Sequence, residues 1–362
     1  MKPKFLYLNY HSNPEFKSYS DKLNRFNGAF AFLNYLKDEH QVMVIDHIGE
    51  NEKFEKDGVL YLAKKKKANN KWLIPFKLHF EIIQLRPDII YLQSLTQMHL
   101  LIFLVPFLSK NTKILVQHHA EQPPKLIKRW ILSFADQFVD SYFFTSEAIA
   151  EEWINKKVIS SKNKITEIVE GSTFFKLNHQ VIRNPNSYLW VARLNNNKNP
   201  LMVITTFIEF LEKEPTAKLT MVYSSFELLK ELKQIINQHP LAKNNIKLLG
   251  KVPHEKLEKI YQQHDFFILA SYYEGGSFSL IESMACGCIP IVSYIPANLY
   301  MTNDGDCGFL FNPNNKDELL RCLKTSQVIN KEHYRENVSI VFNQKLTFQA
   351  IARKMKKTIE NL

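Results

Sequence analysis

A chain of 362 residues is long for one hydrophobic core and sets an expectation of two domains. Its 45% hydrophobic and 23% charged residues exclude a disordered or fibrous chain, and four cysteines without framework spacing exclude a disulfide scaffold. The net charge of +11 suits an anionic partner, whether nucleic acid, a membrane surface or an acidic small substrate, without choosing among them.

The opening residues, Met1 to Tyr10, hold an apolar run too short for a signal peptide. The longest apolar run, 100–107, is interrupted by Pro106 and falls well short of the roughly 18 residues of a spanning helix. The expected location is therefore cytoplasmic, with any membrane contact peripheral and at the inner face. Short β-rich runs at 5–9, 42–46, 58–62, 89–93, 114–118, 141–145 and 165–169 alternate with amphipathic stretches at 20–37, 73–85, 97–108, 125–134 and 147–154. That alternation predicts α/β architecture, a parallel sheet covered by helices. The densest basic segment, Lys64 to Lys67, is followed by Lys71, Trp72, Leu73, Ile74 and Phe76, and reads either as a phospholipid headgroup contact or as a solvated loop.

The pattern fades between residues 171 and 186, where Arg183-Asn184-Pro185-Asn186 marks a turn or linker, and then restarts. Strands are expected at 188–192, 218–223, 246–248, 266–270 and 289–292, and helices at 200–210, 226–237, 256–261, 278–285 and 316–323. The expected division is a first domain over 1–180, a second over 181–341, and a C-terminal segment, 342–362. In that segment Leu346, Ile351, Met355 and Ile359 have the spacing of an amphipathic helix that crosses back to the first domain.

The chemistry is concentrated in residues 270–287, which read as a buried strand, a Gly-rich turn and a helix. Gly275 and Gly276 would let a ligand approach the backbone closely, and the free amides near Ser277, Phe278 and Ser279 at the helix start suit a phosphate. Helix side chains lean toward the N-terminus, so Glu282 in the second turn would stand near that same helix start. A carboxylate cannot itself hold a phosphate, but it can accept hydrogen bonds from the two ribose hydroxyls of a nucleotide, which leaves Glu274 on the sugar side. In the first half, His118 and His119 end a strand at the sheet edge where α/β proteins bind ligands.

Glu274 and Glu282 are seven residues apart in the sense of an E-x7-E motif, and the segment resembles that of family 4 of the retaining glycosyltransferases. Arg193-Leu194 and Lys198 resemble the family's R-L-x3-K segment, which implies that Arg193 and Lys198 hold the donor diphosphate. The turn around Val252 resembles the one whose backbone meets the nucleotide base, and Gln117-His118-His119 resembles the place where a histidine contacts the donor sugar. The sequence departs from the pattern at Gly275-Gly276-Ser277-Phe278, where many relatives carry Gly-Phe-Gly, and it lacks a Gly pair after the first strand. The resemblance implies the GT-B fold, two Rossmann-like domains facing across a cleft. The first would bind the acceptor and the second a nucleotide sugar, with Glu274, His118 and His119 as the catalytic set.

The implied reaction is retaining, metal-independent transfer of a hexose from a UDP- or GDP-sugar to a glycan or lipid-linked acceptor in bacterial surface polysaccharide synthesis. No D-x-D motif is visible, so no metal cofactor is expected; the nucleotide sugar is a co-substrate. The alternative is a catalytically silent GT-B scaffold or binding subunit, against which the intact Glu274, Arg193, Lys198 and Glu282 speak. No nucleic-acid motif accompanies the positive charge, so no nucleic-acid partner is expected.

Overall fold

The structure is a computed structural model that describes residues 2–65 and 73–362. Lys66, Lys67, Lys71 and Trp72 of the predicted basic patch lie outside the described residues. The chain divides into two compact units, Met1–Ser172 with Phe348–Leu362, and Thr173–Thr347.

The first unit is built on eight strands: β1 (Lys4–Asn13), β2 (Gln41–Ile48), β3 (Glu52–Lys56), β4 (Val59–Lys65), β5 (Ile89–Gln93), β6 (Lys113–Gln117), β7 (Ser141–Phe144) and β8 (Ile165–Glu167). They lie in the order β3-β4-β2-β1-β5-β6-β7-β8, parallel except for β3. Central strands buried on both faces read as continuous apolar runs, and Phe5, Leu6 and Leu8 of β1 are fully buried for that reason. The helices are α1 (Tyr19–Arg25), α2 (Asn27–Phe30), α3 (Phe76–Leu85), α4 (Leu126–Ala135) and α5 (Glu147–Asn155).

Four local expectations are corrected here. Gly58 does not start a strand: Asp57 and Gly58 take φ of 54° and 77°, the left-handed pair of a tight hairpin turn, and pair β4 with the unforeseen antiparallel β3. The stretch 20–37 is not one helix, because the chain leaves helical geometry at Phe26 (φ −118°, ψ 29°) before α2 and a 3-10 turn, Ala31–Tyr35. The stretch 97–108 is 3-10 (Leu95–Phe103 and Val105–Phe107), with Pro106 unable to donate to a continuing α-helix. The C-terminal segment is interrupted by a π turn (Phe342–Leu346) and an extended Thr347.

The second unit carries a parallel six-stranded sheet, β9 (Ser187–Ala192), β10 (Lys218–Tyr223), β11 (Ile246–Gly250), β12 (Phe266–Leu269), β13 (Ile289–Ser293) and β14 (Phe309–Phe311), in the order β11-β10-β9-β12-β13-β14. Its helices are α6 (Pro200–Leu211), α7 (Leu229–Gln238), α8 (Pro240–Asn245), α9 (His254–Gln262), α10 (Phe278–Ala285), α11 (Pro296–Thr302), α12 (Lys316–Thr325) and α13 (Lys331–Val341). Tyr188, Trp190, Phe207 and Phe266 lie in the buried cluster between sheet and helices, with Tyr188 stacked on Phe266 at 5.0 Å. From β9 the chain steps to β10 and β11 on one side and to β12 on the other. The carboxyl ends of β9 and β12 thus flank a switch point, the place where open α/β sheets leave a crevice.

The chain ends on α14 (Phe348–Glu360), which belongs to the first unit. Its Lys356 pairs with Glu39 at 2.7 Å, and Phe348, Ile351 and Met355 are buried.

Candidate active site

At the end of β9 the chain turns sharply. Asn195 accepts a hydrogen bond from the Lys198 amide (3.1 Å) and so caps a single 3-10 turn, and Asn199 takes a left-handed φ of 47° before Pro200 opens α6. Asn197 then ties this turn to the loop after β12. Its carbonyl accepts from the Tyr272 amide (2.9 Å), its side-chain oxygen accepts from the Tyr273 amide (3.1 Å), and its side-chain nitrogen donates to the Tyr273 carbonyl (3.0 Å). This clamp brings Lys198 against Glu274, where the ammonium and carboxylate form an ion pair. Ser271 donates a second hydrogen bond to Glu274 at 2.6 Å. Both charged side chains are nearly buried, which makes the pair far less screened than a surface one.

A cavity of about 320 Å³ opens beside the pair, at the carboxyl ends of β9, β10 and β11 and the start of α10. Arg193, Lys198, Val252, Glu274 and Gly276 line it together with Ser277, Phe278 and Ser279. Arg193 is exposed and has no ion-pair partner among the described residues. Lys251, which the sequence reading did not single out, adds a third cation. Gly250 delivers it: at φ 73° this glycine occupies the left-handed region and turns the chain out of β11, next to an irregularity in its pairing with β10. On the opposite wall, α10 starts at Ser277 without a side-chain cap, so its first amides point outward with the positive end of the helix dipole. Arg193, Lys198, Lys251 and an uncapped helix start surround this small cavity with a single carboxylate, Glu274, a balance of charge that suits an anion.

Gly275 and Glu282 are not among the residues that line this cavity. Neither Gly275 nor Gly276 takes a positive φ, so Gly276 serves the site by leaving room beside the backbone rather than by unusual conformation. Glu282 is buried and turned toward α9, because α10 packs on that helix. One of its oxygens meets His254 Nε2 at 2.6 Å, and the other accepts from the Tyr261 hydroxyl at 3.1 Å. His254 stacks on Phe175 at 4.9 Å and remains half exposed. Its hydrogen bond to Glu282 outweighs burial and raises its pKa above the usual 6.5. His254 and Tyr261 carried no signal of their own in the sequence, since a helix-surface His and a core Tyr are common.

The two histidines of the first unit diverge. His118 is buried, stacked on Phe144 at 4.5 Å and edge-on to Trp153, with Nε2 at 3.0 Å from the Glu121 carbonyl oxygen. Burial lowers its pKa. His119 is the histidine that reaches the surface, with 35% of its side chain exposed. Its Nδ1 pairs with the Glu170 carboxylate and its Nε2 stands 3.0 Å from Gln93 Oε1. Desolvation opposes the charged ring, but the Glu170 carboxylate overcomes it and raises the His119 pKa. Glu121 accepts from the Leu95 and His119 amides, and two non-glycine residues beside this edge, Ser94 and Ala120, hold positive φ of 98° and 63°. Strain of this kind collects at functional sites. Gln93 and Glu170 escaped the sequence reading because each lies far along the chain from His119.

Among the described residues no group of three or more His, Cys, Asp or Glu is gathered as a metal site, and no helix is long and apolar enough to cross a membrane. All four cysteines are free, and burial pushes the Cys288 thiol up to about 11.

Residues 173–340, nearly the whole second unit, match the family model described as glycosyl transferases group 1. An uncharacterized glycosyltransferase of Methanocaldococcus jannaschii is 27% identical over 244 residues, 66% of this chain and 62% of that protein. A capsular polysaccharide biosynthesis glycosyltransferase of Staphylococcus aureus is 26% identical over 193 residues, 52% of each chain. The chain thus spans between about half and three fifths of these curated relatives. Among solved structures, Anabaena HepE in complex with UDP superposes with a TM-score of 0.71 at 17% identity, covering 99% of this chain and 100% of that one. That likeness extends the fold to both units, which together have the GT-B architecture. Residues 173–340, a little under half of the chain, are thus similar to the glycosyl transferases group 1 family.

Proposed function

We propose that the protein is a retaining, metal-independent glycosyltransferase of family 4 that moves a hexose from a UDP- or GDP-sugar to a glycan or lipid-linked acceptor in bacterial surface polysaccharide synthesis. The observation that carries this reading is the second unit's cavity, where Arg193, Lys198 and Lys251 face the uncapped start of α10. In this reading the amides of Ser277, Phe278 and Ser279 take the donor diphosphate with Arg193 and Lys198, and the backbone at Val252 meets the base. As the glycosidic bond breaks, negative charge grows on the departing phosphate, and preorganised cations and amides stabilise that charge more than the ground state. Held by Lys198 and Ser271, Glu274 stays fixed for hydroxyls of the transferred sugar. Glu282 takes the ribose hydroxyls once one of its present donors, His254 or Tyr261, gives way.

The acceptor role falls to the first unit, with His119 rather than His118 as the histidine that can meet a ligand. The match of residues 173–340 to group 1, the UDP held by Anabaena HepE and the capsular role in the name of the S. aureus relative support the donor class and the surface polysaccharide setting. We place the enzyme in the cytoplasm, peripheral to the inner face of the membrane. Thermal-shift screening against UDP-, GDP-, ADP- and CMP-sugars tests the reading. The matching donor should stabilise the chain by RT ln(1 + [L]/Kd), about 2.7 kcal/mol at a hundredfold excess over Kd. A flat panel, with a Glu282→Ala variant indistinguishable from wild type, would instead favour a silent scaffold.

A further inference from the structure

On α4 the chain inverts the usual rule for a surface helix. Leu126, Ile127, Trp130 and Phe134 are between 56% and 79% exposed. At 100° per residue they fall within one stripe about 100° wide, while Leu132 and Ala135 on the other side are buried. The stripe does not stand alone. The connections β4 to β5, β5 to β6 and β6 to β7 step in one direction across the sheet, so right-handed crossovers put α3, the 3-10 segment and α4 on the same face. A direct contact agrees: α4 packs against the 3-10 segment Leu95–Phe103. Phe76 and Phe80 on α3 and Phe107 after the 3-10 segment are between 61% and 68% exposed on this layer. Scattered apolar residues on a surface need no explanation, but four large apolar side chains in one exposed helical stripe, with more on the same layer, mark an interaction site.

Charge identifies the occupant. From Lys125 to Ala135 the chain holds Lys125, Lys128 and Arg129 and no acidic residue, and on α3 the acid Glu81 is ion-paired with Lys64. Arg129 lies on one flank of the apolar stripe by the helical periodicity of α4, and Lys125 is the exposed residue just before the helix. Apolar side chains with an indole among them, bordered by cations, match the boundary between acyl chains and anionic headgroups. We propose that this face of the first unit docks on an anionic lipid bilayer, with Trp130 and Phe134 entering the interface and Lys125 and Arg129 meeting headgroups. The surface is distinct from the nucleotide cavity and does not depend on the reaction assigned to it.

The test uses the full chain in a Trp72→Phe background, in which Trp153 and Trp190 are fully buried and Trp130 reports the surface. Vesicles of phosphatidylcholine with phosphatidylglycerol should bind the protein, shift Trp130 emission to the blue and allow its quenching by brominated acyl chains. Phosphatidylcholine alone should bind at least about tenfold more weakly, reflecting the lost headgroup charge. Trp130→Ser with Phe134→Ser should weaken binding to the anionic vesicles by about tenfold or more, and so should Lys125→Glu with Arg129→Glu. Both double variants should stay folded by circular dichroism, with Lys125, Trp130 and Phe134 exposed and Arg129 partly so. Folded protein that ignores anionic vesicles, or binding untouched by both double variants, overturns the proposal. A concentration-dependent dimer abolished by Trp130→Ser also overturns it, and assigns the face to a second copy.

Discussion

The second unit's cavity and the histidine edge of the first unit are both built at the carboxyl ends of parallel strands, yet they are assembled in different ways. The cavity is made of main-chain geometry: an uncapped helix start, a left-handed glycine, and an asparagine clamp that joins two neighbouring loops. The histidine edge is made of side-chain pairs brought from separate strands, with Gln93 at the end of β5, His119 after β6 and Glu170 after β8. The cavity nevertheless draws its positive charge from both sources, the helix start and the side chains of Arg193, Lys198 and Lys251. A site built from paired side chains depends on each member and responds to pH. The same contrast separates His118, packed in the core, from its neighbour His119, held at the surface by a carboxylate.

The sharpest test of this comparison is Lys198→Ala, which removes a cation from the cavity wall and leaves nearly buried Glu274 without its ion-pair partner. Sugar transfer should fall by about 10²–10³-fold. A double-mutant cycle with Glu274→Ala should show a coupling of about 0.5–3 kcal/mol in chemical denaturation. Near-wild-type turnover would remove Lys198 from the reaction.

Next in size is the split between the histidines. His118→Ala should destabilise the first unit by about 2–4 kcal/mol, since a stacked, buried ring is lost. His119→Ala should cost under about 1 kcal/mol, because its ion pair is partly solvated. Equal losses on urea titration would erase the distinction.

The pH dependence should also separate them. The raised pKa of His119 means that its pairing with Glu170 stabilises the fold fully below about 6.5 and is lost as pH rises through the folded-state value. The lowered pKa of His118 acts oppositely: its contribution is present above 6.5 and is lost as pH falls through the folded-state value. Glu170→Gln should therefore flatten the stability profile above pH 6.5 and leave its acid limb unchanged. An unaltered alkaline limb would show that the His119–Glu170 pair does not form in solution.

The smallest effect belongs to His254. Its protonated ring holds Glu282, so nucleotide affinity should increase about two- to threefold as pH rises from 6 through the raised His254 pKa. His254→Gln should remove that slope, measured by isothermal titration calorimetry. A slope that survives the substitution would place the titrating group elsewhere.

Much of this organisation was legible in local sequence. The strand-turn-helix at 266–285 combines an apolar run, two glycines and a polar helix start, each a near-neighbour signal. The strand before Arg193 and the Pro that opens α6 are equally local, which is why both walls of the cavity could be expected from residues alone. Where local signals conflicted, the reading failed. The run 97–108 has helical composition but folds as 3-10, and 20–37 has helical spacing but breaks at Phe26. Asp57-Gly58 is a hairpin signal that was passed over in favour of the apolar residues after it.

The sequence by itself determined the layering, two successive α/β units, and the strand-turn-helix that opens α10, because hydrophobic period and backbone propensity act over a few residues. Only the tertiary structure decided which histidine reaches the surface, that Glu282 is held by His254 and Tyr261, and that Lys198 and Glu274 are ion-paired. It also decided that the apolar stripe of α4 faces water rather than the core. The reason is physical. Amphipathic spacing fixes which residues share a helix face, but which face turns inward, and which distant side chain completes a polar pair, is set by packing between elements far apart in the chain.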